Sequence, residues 1–410
     1  MKLRTFATAC AATALLLSGA TAAHATGFGD CPGVSDRGHG HYRLTKDAEC
    51  DLTLLGAGAD VNLAHHTLSS PAVPIEVDGV ALHDGKLRTD GIFWLGNHGR
   101  MENLDVTALG LEPVADFYIE AGSDFTVKRS TFHDLSSSVA LSFYFSGGGT
   151  VSDSSFTRTQ IAVSIQQSSN VTIRDNRFRS NAIAVNLWNE DAVGLNNTTI
   201  TRNTITDSST AGVLVRDGES ESPTFDDVRI THNHISRSGG SGIDLTLTCE
   251  QGLPCPPDGA PIFLERNDLS RNGFAPSLDS ARAAGATGLA AGLVAHTEAD
   301  RARAAAALGT AGSASTDAGA ALSRGGNGNG KGGLGDYTSS NDGLTARAFL
   351  IGGDTDVPTP ALLAFVRVAK NSTSKNADRG IDAAGVTDRG GNTSRSNPNP
   401  CVGVVCRSDR

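Results

Sequence analysis

Apolar and polar positions alternate along this chain in short runs, and the runs return in one fixed phrase. The phrase reads apolar, any, apolar, any, any, Asn, any, apolar. Between Ser168 and Gly273 it occurs four times: Val171-Ile173-Asn176-Phe178, Thr198-Ile200-Asn203-Ile205, Val228-Ile230-Asn233-Ile235 and Ile262-Leu264-Asn267-Leu269. A period of two marks a strand with one buried side. Each copy therefore predicts a strand, a corner carrying Asn, and a second short strand. Weaker copies run upstream at Val61-Leu63-His66-Leu68, Val80-Leu82-Gly85-Leu87, Gly99-Met101-Leu104-Val106, Phe125-Val127-Ser130-Phe132 and Gly149-Val151-Ser154-Phe156. A last one, Val366-Val368-Asn371-Thr373, stands near the C-terminus.

A second phrase lies between these, a small residue followed by apolar, any, apolar. Examples are Ala140-Leu141-Ser142-Phe143, Ala184-Val185-Asn186-Leu187 and Gly242-Ile243-Asp244-Leu245. So each repeat brings at least two strands that meet at a corner. A unit of this size cannot bury its apolar side alone, and the copies must stack.

Three architectures repeat on this scale. A leucine-rich repeat wants Leu three residues before the first position, where this chain has Gly58, Gly122, Ser168, Phe225 and Gly259, with Leu only at Leu195 and Leu363. Its core positions are mostly Val, Ile and Phe, which favour strands. A propeller blade needs a longer, four-stranded unit. The remaining solution is all-β, a right-handed parallel β-helix solenoid. About ten coils at about 4.8 Å each would make a rod on the order of 45 Å long. Inward Asn176, Asn203, Asn233 and Asn267 would hydrogen-bond from coil to coil as an amide ladder.

The phrase stops after Gly273. Residues 274–343 are rich in Ala and then Gly, with a helical stretch at Glu298–Leu308, and predict a partly helical or disordered insertion. Residues 26–58, Gly- and His-rich, precede the first repeat and read as a cap; the coils then run over 59–273 and end in a tail over 344–410.

Residues 1–25 carry Lys2 and Arg4, an apolar run Ala11–Leu17 and the cleavage pattern Ala23-His24-Ala25, which predict a signal peptide and a secreted, extracellular protein. No later stretch is long and apolar enough for a membrane span. The net charge of −10 lacks the basic excess that a nucleic-acid partner needs. A monomer is expected. Once Cys10 leaves with the signal, six cysteines remain: Cys31, Cys50, Cys249, Cys255, Cys401 and Cys406. An even count in an exported chain points to disulfides, and pairing of sequence neighbours is the simplest of fifteen connectivities.

Strand alternation predicts which side chains of the second phrase point outward. One column is Tyr118, Ser142, Ser164, Asn186, Leu214 and Asp244; the next is Glu120, Tyr144, Gln166, Trp188, Arg216 and Thr246. Flat aromatic rings beside amides, carboxylates and Arg suit sugar recognition, so Tyr118, Glu120, Tyr144, Gln166, Asn186 and Trp188 are candidate substrate-binding residues. The first expectation is a protein that binds extracellular polysaccharide along this face, without a catalytic signature. The alternative is a glycoside hydrolase, with Asp244 and Asp217 or Glu190 as the paired carboxyl groups, or a polysaccharide lyase. A lyase would use Arg216, or Ca²⁺ held by Asp191 and Asp217, to stabilise the enolate. Two close histidine pairs, His39/His41 and His232/His234, were each expected to share one strand face; no third metal ligand accompanies them.

The chain also resembles secreted actinobacterial proteins with parallel β-helix repeats, related to pectate-lyase-like and NosD-type domains. Three stretches carry the resemblance. Val61-Asn-Leu-Ala-His-His-Thr-Leu68 is similar to a first-coil phrase L-D-L-N-G-H-T-I, departing from it at Ala64 and His65. The middle repeats match throughout. Asp388-Arg-Gly-Gly-Asn392, followed by Asn397-Pro-Asn-Pro-Cys401-Val-Gly-Val-Val-Cys406, is similar to the closing staple of that group. The resemblance implies the fold and leaves the activity open, because the scaffold hosts lyases, hydrolases, epimerases and non-catalytic proteins. The paired-Asp and His-Gly signatures of polygalacturonases and the W-x-D-H of pectate lyases are absent.

Overall fold

The computed structural model describes residues 27–71, 73–109, 118–189, 194–217, 225–250, 261–273, 342–351, 357–358 and 363–408. Among these, 34 strands join one sheet that winds into a right-handed parallel β-helix, and Leu195–Asn196 pairs with Phe225–Asp226 in a separate two-stranded sheet. Pairing is antiparallel only where Val34–Asp36 meets His41–Leu44 and where Val357–Pro358 meets Leu344–Ile351.

Each coil has three faces, and apolar side chains stack in columns inside all three. On the first face Val61, Leu82, Met101, Val127, Val151, Ile173, Ile200, Ile230, Leu264 and Val368 lie in register. The second face stacks Leu68, Leu87, Val106, Phe132, Phe156, Phe178, Ile205, Ile235 and Leu269. The Phe132, Phe156 and Phe178 rings lie nearly parallel, with centroids 4.8 and 5.1 Å apart. On the third face Leu141, Val163, Val185, Val213, Ile243 and Leu344 continue the column. All of these side chains are buried in one core.

The first half of the first copy sits two positions from its expected alignment, because Val61 stacks on Leu82 and not on Val80, while Leu68 stacks on Leu87 as expected. The corner behind Asn62 is longer than the others, and both Ala64 and His65 there adopt positive φ (48° and 67°). Parallel stacking also begins inside the segment expected to form the cap, since His41–Leu44 pairs with Asp60–Asn62. The end itself is closed by Phe28, set edge-on to Tyr42, and by the Cys31–Cys50 disulfide. At the opposite end Cys401 and Cys406 are bonded.

Most corners between the first and second faces repeat one device. A residue in the left-handed region turns the chain, and the next residue points inward. Asp175 (φ 59°), Arg202 (54°), His232 (58°), Arg266 (56°) and Lys370 (55°) precede Asn176, Asn203, Asn233, Asn267 and Asn371. The amide ladder is real and longer than its four expected members. Each of these amides accepts at Oδ1 from the backbone N–H of the previous rung, at 2.9–3.0 Å, and the ladder ends on Asn392. A second ladder, missed in the sequence, runs between the second and third faces through Asn272, Asn376 and Asn397.

The signal peptide, Glu190, Asp191 and Cys255 lie outside the described residues, as does the expected insertion except for Asp342 and Gly343. The coils pass over it without a change of register: Ile243–Glu250 stacks on Leu344–Ile351 residue for residue.

Candidate functional site

The third face carries the two expected outward columns, and five coils set them in register. Ser142, Ser164, Asn186, Leu214 and Asp244 form one, which Thr345 extends into a sixth coil. Tyr144, Gln166, Trp188, Arg216 and Thr246 form the other. The coil before them departs from expectation. A register shift between Tyr118 and Glu120 sets Tyr118 opposite Val139 and Glu120 opposite Ser142, so Tyr118 leaves the Ser142 column and Glu120 leaves the Tyr144 column. Asp217 lies in register with Asn189, one strand before Asp244, which itself faces Leu214.

These columns were expected to face solvent. Most of them are instead buried: Ser164 is 0 % exposed, Asn186 1 %, Asp244 2 % and Arg216 6 %. The polar groups make a connected network. Gln166 Nε2 donates to Ser164 Oγ at 3.0 Å, and Asn186 Nδ2 donates to the same oxygen at 3.3 Å. Arg216 Nη2 meets Asp244 Oδ2 at 3.3 Å, and the Thr246 hydroxyl donates to the other carboxylate oxygen at 3.3 Å. The Ser142 hydroxyl is buried and has no hydrogen-bond partner among the described residues. Burying an ion pair costs desolvation that its mutual attraction often only matches. A core alone does not call for Arg216 and Asp244 here, because the apolar columns lie on the other side of the same strands.

One end of the row is open. Tyr144 is partly exposed, and Phe145 beside it is 49 % exposed, with the two rings edge-to-face at 4.5 Å. Phe145 holds φ at +50°, a region that bulky side chains rarely adopt. Its N–H donates to Gln166 O at 3.2 Å, which ties the strained residue to the next coil. Backbone strain of this kind concentrates at ligand clamps and active sites. The sequence offered no sign of it, because nothing local marks a Phe as left-handed.

The histidine pairs do not share strand faces. His39 and His232 are turn residues with positive φ, while His41 and His234 begin strands. His41 meets Asp60 at 3.2 Å, His234 meets Asp268 at 2.8 Å, and His232 faces Arg266. Among the described residues no three His, Cys, Asp or Glu side chains converge to hold a metal ion. No helix among them is long and apolar enough to cross a membrane.

A separate cleft of about 600 Å³ opens on the second face, lined among others by Glu49, Lys86, Arg88, Asp105 and His133. His133 bridges two carboxylates there, Nε2 to Asp105 and Nδ1 to Asp134, both at 2.7 Å.

Residues 69–225 match the family profile described as right handed beta helix region. No curated protein matches the chain. Among solved structures it is similar to the periplasmic alginate epimerase AlgG, at 10 % identity and a TM-score of 0.39, covering 92 % of this chain and 78 % of that one. It is also similar to the Azotobacter vinelandii mannuronan C-5 epimerase AlgE6 A-module, at 12 % identity and a TM-score of 0.39, covering 90 % and 89 %. The fold rests on the strand register described above.

Proposed function

We propose that this protein is an exported glycan-binding β-helix, and that a polysaccharide chain meets it at the Tyr144–Phe145 lip of the third face. The observation that carries this reading is Phe145: an exposed aromatic ring held at positive φ, at the open end of a row of buried polar side chains. A pyranose ring can lie against the aromatic pair. The buried network of Gln166, Ser164 and Asn186 lies in the next two coils, with Trp188, Arg216 and Asp244 farther along the same columns, so these side chains support the lip and the sugar meets the exposed rings. Binding without bond cleavage is the reading adopted, since Asp244 already accepts from both Arg216 and Thr246.

Phe145→Gly is the decisive variant. Glycine tolerates positive φ without strain, so the fold should be unharmed or slightly stabilised, by up to about 1 kcal/mol. Retention in affinity electrophoresis against polygalacturonate, xylan and mixed-linkage glucan should fall for whichever polymer retards the wild type. Retention equal to wild type would remove the lip as the site. The same incubations, read for new reducing ends and for ultraviolet-absorbing unsaturated ends, separate binding from hydrolysis and elimination; either product would replace the binding reading with the catalytic one.

A further inference from the structure

The left-handed corner positions change character along the rod. In the earlier coils they are mixed: Asp84, Asn103, Arg129, Asp153 and Asp175 at the first corner, and Asp134, Arg158, Ser180 and Asp207 at the second. In the later coils the same positions are basic. The first corner runs Arg202, His232, Arg266, Lys370, and the second runs Arg237, Arg271, Lys375. Arg and Lys have no conformational reason to occupy this region, so charge has displaced local preference in successive coils.

The backbone fixes the spacing of these cations. Arg266 N donates to Ala369 O at 3.0 Å and Arg271 N to Ser374 O at 2.9 Å, so each corner sits directly over the next. Successive charges are therefore one coil apart, about 4.8 Å, with like charges stacked on like. Arg202 and Arg237 are answered by Asp175 and Asp207. Arg266, Arg271, Lys370 and Lys375 are exposed, and among the described residues none has a carboxylate within ion-pair distance. Between the two rows lie the hydroxyls of Ser270, Ser372 and Ser374, with Asp268, which His234 engages. Alongside, Phe263 lies between the guanidinium groups of Arg229 and Arg367, at 4.5 and 5.2 Å.

We infer that these two rows form a docking ridge for an anionic polysaccharide lying parallel to the rod axis. A polymer of acidic pyranoses advances by roughly one coil spacing per sugar and can present its carboxylates or sulfates to both rows, while its hydroxyls meet the serines. The chain's overall charge of −10 repels polyanions elsewhere and confines them to this strip. Duplex nucleic acid carries a much denser charge, one per about 1.7 Å of axis, that this spacing does not match. The ridge uses none of the third-face residues, so either reading can fail alone.

The test replaces Arg266, Arg271, Lys370 and Lys375 together by Asn, which after glycine is the residue best suited to a left-handed corner. The quadruple variant should therefore melt no lower than wild type, which separates lost binding from lost folding. Wild-type protein should be retained on immobilised polygalacturonate and heparin at low salt, released by added salt, and ignore dextran. The variant should bind both anionic polymers at least about tenfold more weakly, because exposed charge contacts each contribute little and only their sum matters. Wild-type protein that flows through both columns, or a variant retained like wild type, would overturn the ridge. Duplex DNA bound as tightly as the acidic glycans would overturn the choice of ligand. Loss of acidic-polymer retention in Phe145→Gly, with the quadruple variant unaffected, would assign that binding to the third face instead.

Discussion

The coils before residue 150 and those after residue 170 share one cross-section but are held in register by different means. In the earlier coils the inward corner position is Gly85, then Leu104, then Ser130, and only the serine bonds to its neighbour, through Leu104 N to Ser130 Oγ at 3.2 Å. From Asn176 onward every rung is an amide. Asn233, for example, accepts from both the N–H and the Nδ2 of Asn203, and donates to Ile200 O and to Asn267 Oδ1. Both side chains accept through oxygen, but a hydroxyl offers one donor and an amide two. The later coils are therefore locked by directional bonds that apolar packing does not supply. That lock lets the same corners carry stacked basic residues on the outside.

Breaking a rung should give the largest effect. Asn233→Leu strands the N–H and one of the two Nδ2 hydrogens of Asn203 in a buried site, the other staying on Ile173 O, and should cost about 3–4 kcal/mol, several times the cost of one net hydrogen bond. Ser130→Ala in the earlier half should cost about 1 kcal/mol. Urea unfolding of the two variants is the check. Equal costs would mean that the ladder adds nothing beyond the shared apolar core.

Second in size is the Cys31–Cys50 disulfide, whose closure of a loop with sequence separation 19 is worth roughly 3 kcal/mol. The earlier coils have no amide ladder, so the bond and the Phe28 cap restrain their open end. Substituting both cysteines by Ser should speed amide exchange in residues 41–109 and leave the coils from Asn176 onward protected, since a solenoid couples mainly nearest neighbours. Uniform loss of protection along the rod would show one cooperative unit and dissolve the distinction between halves.

The β-helix was legible because its cause is local and periodic: Ile173, Ile200 and Ile230 recur at matching places in a phrase, and stacking follows. The second ladder was not legible, because Asn272 and Asn376 stand on either side of the long interruption and no short phrase links them. Both outward columns of the third face could be read from alternation over five coils. Alternation failed at Tyr118, where a bulge shifts the register, and at Val61, where the corner is two residues longer. Burial of Arg216 and Asp244 was equally hidden, since alternation tells which side of a strand a residue faces and says nothing of what lies over that side. Backbone conformation was the least visible layer. Phe145 and the basic corners look like ordinary surface residues until their φ values are known.

The smallest expected effect concerns acid. Asn103 and His83 hydrogen-bond the Asp84 carboxyl and hold it below its ordinary value of 3.8, against the opposing effect of burial. Arg158 first, and then His133, do the same for Asp134, and Arg202 with Arg174 for Asp175. A depressed folded-state value means that these contacts contribute their full stability above pH 3.8 and lose it as pH falls through the lower folded-state values. Two of the three lie in the earlier coils and Asp175 sits at the start of the amide ladder; the first corners beyond it hold Arg202, His232, Arg266 and Lys370. Acid should therefore loosen the earlier coils first. Amide exchange compared at about pH 6 and about pH 3, on either side of the ordinary carboxyl range, should show protection lost around Asp84 and Asp134 while the rungs from Asn203 to Asn392 hold. Asp134→Asn should abolish the part of that loss near His133 and Arg158 and leave the later coils unchanged, because Asn keeps positive φ and a hydrogen-bonding oxygen but has no proton to gain. Simultaneous loss in both halves would mean that acid acts on the rod as a whole, through its net charge, and not through these three carboxylates.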